Sequence, residues 1–291
     1  MAYLKKASAP SAPIDLWDYR SFDDELRQVL ETNRQLIQDY FEIDHAIFLS
    51  HDLGRSPGRS SIRPDNPHAS AYYDLLDEVN ELMRVRTIRA YHYTRLTDQE
   101  VKDLHRSGIH LSTPETLQHR LDALVASGQL SAADAEVLFS KSPFHSEQCQ
   151  GRTGKFWMTS HPVSVEDCGV VPLMERWGGE VASFWLRDLQ LSSSLVEIGT
   201  ARVIEIAAPL EKTRHSHSAA TAAVATFGRH IGAIPGKSYF DLYVNAPLEP
   251  GSVLAVHMEG DTTFAAIGKS YPPGYIDVDT GRWKELTGED D

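Results

Sequence analysis

Apolar positions recur near a 3.6-residue period from 21 to 40, where Leu26, Val29, Leu30, Leu36 and Ile37 share a stripe. They do so again from 69 to 84, through Tyr73, Leu76, Val79 and Leu82. Both stretches predict helices. Between them, the apolar run 46–49 predicts a strand, and 50–67, with Gly54, Pro57, Gly58 and Pro64, predicts a long loop. The sharpest local signal is Arg89-Ala-Tyr-His-Tyr-Thr-Arg-Leu-Thr97, a strand ending on a polar His-Tyr-Thr face. A helix over 98–107 follows at once. Thr97 and Glu100 have capping-box spacing at its start, and Gly108 takes the left-handed position after its end.

Beyond Gly108, Thr113 with Pro114 opens a further helix carrying Leu117, Leu121, Leu124 and Val125, closed at Gly128. Ser131 caps the next, over 132–140. The second half is richer in strands: 155–160, 180–186 after Gly178-Gly179, 202–207 up to Pro209, 239–244 and 252–257. The last two read as partners joined through Pro247 and Pro250-Gly251, and an Ala-rich helix over 218–230 precedes them. Strands that cluster without regular helical crossovers predict an α+β fold with a largely antiparallel sheet. Residues 1–85 read as a helical N-terminal extension packed on the core, and 86–291 as an α+β domain, after a leader over 1–15 rich in Ala, Ser and Pro.

The 291 residues suffice to bury a sizeable core, and 41% apolar with 24% charged is an ordinary composition for a globular chain. No apolar run is long enough to span a bilayer, and no apolar segment follows Lys5-Lys6, so the reading is of no membrane association, no secretory signal and a cytoplasmic protein. Cys149 and Cys168 are expected to be reduced. The formal net charge of −13 argues against nonspecific nucleic-acid binding, which depends on neutralising phosphates. A basic stretch at Arg55, Arg59 and Arg63 reads as loop.

Phosphate-loop, dinucleotide-glycine, Gly-x-Ser-x-Gly and His-Glu-x-x-His signatures are absent. Arg214-His-Ser-His217 has no Cys or acid pair at metal-site spacing, so no metal site is expected. Three segments remain: His92-Tyr93-Thr94 at the strand–helix unit, Trp157-Met158-Thr159-Ser160 after the loop bracketed by Gly151 and Gly154, and Phe240-Asp241-Leu242-Tyr243. On a strand, Asp241 points opposite to both Phe240 and Leu242, toward water or a polar cleft. Taken alone, His92 equally suits a strand-end histidine satisfied by backbone. Asp241 equally suits a turn cap or a partner for Arg202. Arg152 and Lys155 read as solvated cations that could also meet a pyrophosphate.

The order of these segments resembles the ADP-ribosyltransferase superfamily over about 89–257. Tyr91-His-Tyr-Thr-Arg-Leu with the following helix and Ser107-Gly-Ile-His is similar to the opening of its His-type branches. The stretch from Phe240-Asp-Leu-Tyr through Pro247 and Pro250-Gly251 to Val256 resembles the region where those enzymes carry their acid. The resemblance implies a split antiparallel sheet and NAD as substrate, with transfer of ADP-ribose to an unknown macromolecular target or hydrolysis. It implies that His92 bonds the ribose, that Tyr93 or Trp157 stacks on the nicotinamide, and that Thr94, Thr159, Ser160 and Arg152 line the cofactor. Asp241 takes the acid role, stabilising positive charge as the glycosidic bond breaks. Glutamate is usual there, so Glu180 and Glu205 are the alternative acids. Two other functions remain open: an RNA 2′-phosphotransferase-like enzyme, and a non-enzymatic interaction protein on a degenerate version of the fold.

Overall fold

The computed structural model describes residues 12–52, 62–147, 149–184, 186–236 and 238–269. The start of the expected leader, the centre of the 50–67 loop with Arg55 and Arg59, and Trp185 lie outside them. Among the described residues the chain is a mixed α and β structure organised on one five-stranded antiparallel sheet. Its strands are β1 (Thr87–Leu96), β2 (Phe156–Thr159), β3 (Thr200–Pro209), β4 (Asp241–Val244) and β5 (Val253–Met258), in the order β4-β2-β1-β3-β5. The central β1–β3 pair is registered over ten residues, from Thr87 opposite Pro209 to Leu96 opposite Thr200. By contrast, β1 and β2 share a single register pair, Tyr91 with Thr159.

Side chains alternate across a strand, so parity in β1 decides what each residue meets. Ile88, Ala90 and Leu96 point with Ile204 and Ile206 into the main apolar cluster. That cluster also takes the apolar stripes of α1 (Asp24–Thr32), α2 (Arg34–Ile47), α3 (Ala69–Met83) and α11 (Ser216–His230). The small side chains of α11 allow close approach. A Cβ at Gly228 would sit 2.7 Å from the Phe41 ring. The opposite face sets Tyr91, Tyr93, Ala201 and Val203 against Trp17, Val170, Met174, Phe264 and Ile267, contributed in part by α8 (Val171–Glu175) and α12 (Thr262–Ala266).

A third cluster joins α5 (Pro114–Ala126) and α6 (Ala132–Lys141) to Trp177, Ala182, Leu191, Leu195 and Ile198, which come from the region of α9 (Gly179–Ala182) and α10 (Leu189–Ser194). A short α7 (Cys149–Arg152) leads into β2. The strand–helix unit forms as its sequence predicts. In α4 (Asp98–Ser107) both halves of the Thr97/Glu100 capping box are made. Gly108 has φ 81° and ψ −160°, a positive φ outside the left-handed helical well. A Cβ there would meet the Leu248 carbonyl oxygen at 2.0 Å, so close backbone approach as well as φ demands glycine.

Three expected strands or pairings take another form. Residues 46–49 continue α2 into a π-helical turn over Phe48–Asp52, because Ile47 extends the buried stripe of Ile37 and Phe41. Among the described residues of 180–186 there is no strand. Gly178 (φ 78°) and Gly179 (φ 48°) turn the chain into α9, and a Cβ on Gly178 would lie 2.4 Å from the Ala182 Cβ. Finally, β4 and β5 are not partners: β4 pairs with β2 and β5 with β3, at opposite edges of the sheet.

Candidate functional site

The site is built where β1 and β2 stop pairing. One residue beyond Tyr91, the His92 imidazole lies 4.3 Å from the Phe156 ring, and its Nδ1 is 2.8 Å from the Trp157 carbonyl oxygen. That oxygen can only accept, so Nδ1 carries the proton and Nε2 is left as an acceptor. Burial pushes the imidazole down to about 4, the nearby Arg120 charge adds to that, and the bond to Trp157 opposes both. At neutral pH His92 is therefore an uncharged group of fixed tautomer, able to accept a hydroxyl proton.

Arg120 reaches this region from α5. Its Nε donates to Glu100 Oε1 at 2.7 Å, and its guanidinium carbon lies 4.6 Å from the centre of the fully buried Trp177 ring. Glu100 Oε2 accepts from the Thr97 backbone at 2.8 Å and from Trp177 Nε1 at 3.0 Å. Burial raises the Glu100 carboxyl, but Arg120 and these donors outweigh it and hold its pKa below the usual value. The capping glutamate thus also fixes an indole and a guanidinium. Arg120 Nη2 is buried without a hydrogen-bond partner among the described residues. An unsatisfied buried donor costs about 1–3 kcal/mol, and a ligand oxygen could relieve it.

The sequence-predicted residues fall into separate groups. Arg152 and Glu180 come together in a 2.8 Å ion pair linking α7 to α9. Thr94 shares the His92 face but is buried opposite Arg202, whose guanidinium pairs with Asp98. Ser160 is buried, and its Oγ accepts from Phe240 N at 2.9 Å, bracing β2 against β4. Thr159 donates to the His161 carbonyl at 2.7 Å.

Tyr93 is not an open stacking platform. It is buried on the opposite face, where its hydroxyl donates to Val163 O at 2.8 Å and accepts from Val163 N at 2.5 Å. Trp157 likewise presents its ring on that face, 4.8 Å from Tyr243, with Nε1 donating to Gly151 O at 3.0 Å. The aromatic neighbour of His92 is Phe156 instead.

Asp241 does not converge on His92. Register carries Tyr91 to Thr159 and Thr159 to Asp241, so Asp241 shares the Tyr91 face, and His92, one residue on, points the other way. Asp241 is exposed there. Burial raises its carboxyl pKa and His215 partly offsets that. Glu205 also lies on the Tyr91 face. It is committed to Arg89 at 2.5 Å and His257 at 2.9 Å, and Arg89 pairs in turn with Asp15 at 2.7 Å.

Phe156, Arg120 and Trp177 were not expected at the site. Only Glu100 carried a signal, and that signal spoke of helix capping alone. Two open, shallow depressions, of about 390 and 380 Å³, are lined by Thr97, Asp98, Gln99, Gln129, Gly199 and Thr200, and by the start of α5 with Phe139, and none of the predicted site residues lines them. No group of three or more His, Cys, Asp or Glu among the described residues could hold a metal ion. No helix there is long and apolar enough to cross a membrane. Comparison with family models, curated proteins and solved structures finds no match for this chain.

Proposed function

We propose that the chain is a diverged ADP-ribosyltransferase-like enzyme that binds and consumes NAD at the β1–β2 fork. The observation that carries the reading is the His92–Trp157 bond, which fixes Nε2 as an acceptor for a ribose hydroxyl; the charge of Arg120, whose Nη2 is unsatisfied, is near enough to act on the imidazole. The strand order also sets the three motif-bearing strands, β4, β2 and β1, side by side. His92 holds the ribose, and Arg120 donates to a phosphate oxygen. Glu180, paired with Arg152 and three residues beyond the Trp177 that packs on Arg120, is assigned in place of Asp241 as the carboxylate that stabilises positive charge on the ribose as the bond to nicotinamide breaks. The electron pair leaves with nicotinamide, and water or a target nucleophile takes the vacated carbon.

A saturating test is direct. NAD at a hundred times its dissociation constant raises the unfolding free energy by about 2.7 kcal/mol. The shift disappears in His92→Ala and in Arg120→Met. Absence of any shift in the wild-type protein would discard the reading.

One observation favours a second reading, a non-catalytic interaction protein: the acid of the family-like segment, Asp241, sits on the wrong face for His92. NAD binding without turnover, or no binding, would favour it. The RNA phosphotransferase reading needs several free cations around the fork, where Arg120 offers a single unpaired donor and Arg152 is paired with Glu180.

A further inference from the structure

The edge of the sheet on the Tyr91 face holds a group of side chains for which the fork has no use. Trp157 and Tyr243 are direct cross-strand partners, their rings 4.8 Å apart and inclined at 58°, so they form two walls of a corner. Lys155, two residues before Trp157, folds its ammonium over them, 4.8 Å from the Tyr243 centroid and 5.9 Å from that of Trp157. Its Nζ donates to the Gln150 carbonyl at 2.9 Å and has no carboxylate partner among the described residues. The rings therefore already hold one cation by their π faces. His215 closes the side of Tyr243 edge-on, at 5.0 Å.

Asp241 lies two residues from Tyr243 on the same face of β4, about 7 Å along the strand. Its side chain is exposed and has no hydrogen bond or ion pair to another side chain among the described residues, His215 being its electrostatic neighbour. An aromatic corner that already packs an ammonium, flanked by an exposed carboxylate on a chain of net charge −13, is complementary to positive charge.

We propose that Trp157, Tyr243 and Asp241 form a binding site for an organic cation, an ammonium or guanidinium group, with Lys155 as the internal group that competes for the rings. The site is on the face opposite His92 and does not depend on the NAD reading. It gives Asp241 a recognition role in place of the catalytic one.

The test is calorimetric titration of the full chain with N-acetyl-arginine amide, N-acetyl-trimethyllysine amide and spermidine, which separate guanidinium, quaternary ammonium and polyamine sources. At least one binds. Asp241→Asn and Tyr243→Leu each weaken it about fivefold, and Lys155→Met tightens it by removing the competitor. Unchanged far-ultraviolet circular dichroism verifies that each variant is folded. No binding by either the wild type or Lys155→Met, or equal binding by Asp241→Asn, overturns the proposal.

Discussion

Along β1, the side chains at Ile88, Ala90 and Leu96 join the main helix-packed cluster and His92 meets Phe156 beside them, whereas Arg89 and Arg95 meet ion pairs and carbonyls and Tyr91 and Tyr93 join a smaller cluster with α8 and α12. The first face is held by shape and apolar burial, with little need of solvent conditions. The second adds to its own, smaller apolar cluster the Asp15–Arg89–Glu205–His257 group, whose members keep some contact with water and therefore respond to salt. His92 is an exception to the first pattern, a titratable group on the helix-covered face. A polar group is kept uncharged there, with one nitrogen fixed by the Trp157 carbonyl.

The comparison can be broken most forcefully on the apolar face. Ile206→Ala, at a fully buried position, is expected to cost about 3 kcal/mol in urea unfolding. Glu205→Gln on the other face costs about 2 kcal/mol at low salt. The two separate in 1 M NaCl, which shrinks the Glu205 effect and leaves the Ile206 effect intact. Equal salt responses would mean that the two faces do not differ as described.

A pH titration sharpens the position of His92. Its folded pKa, near 4, lies below the unfolded value near 6.5, and His161 is also held near 4 by burial. The unfolded chain binds more protons in that window, so stability falls as pH drops from about 6.5 toward 4. His92→Gln and His161→Gln should each flatten the decline. A profile level across this range would mean that neither imidazole is held neutral. The smallest effect is at the helix start. Thr97→Ala removes one half of the capping box and costs about 1 kcal/mol by thermal melting.

The elements legible in the sequence were those specified locally. The Thr97 cap, Pro114 at the start of α5, the Ser131 cap and the alternation in β3 each act within a few residues, and each formed. The strand over 46–49 failed because four apolar residues fit either period, and neighbouring Ile37 and Phe41 settled it as helix. Pairing β4 with β5 failed because closeness in sequence does not specify which edge of a sheet a strand joins.

The candidate site was half legible for the same reason. That Asp241 opposes Phe240 and Leu242 follows from the strand period, but its relation to His92 depends on the register through β2, which no local pattern encodes. Arg120 was invisible because it reaches its place from α5 through a glutamate that already had a complete local explanation.

Turnover of NAD by the purified chain, measured as nicotinamide release, tests the central claim most directly. The wild type is expected to be active, with a loss of at least about 100-fold in His92→Ala and Glu180→Gln, and activity within about threefold of wild type in Asp241→Asn, a change of under 1 kcal/mol. Loss in Asp241→Asn with Glu180→Gln unaffected, or no nicotinamide from any of the proteins, would contradict it.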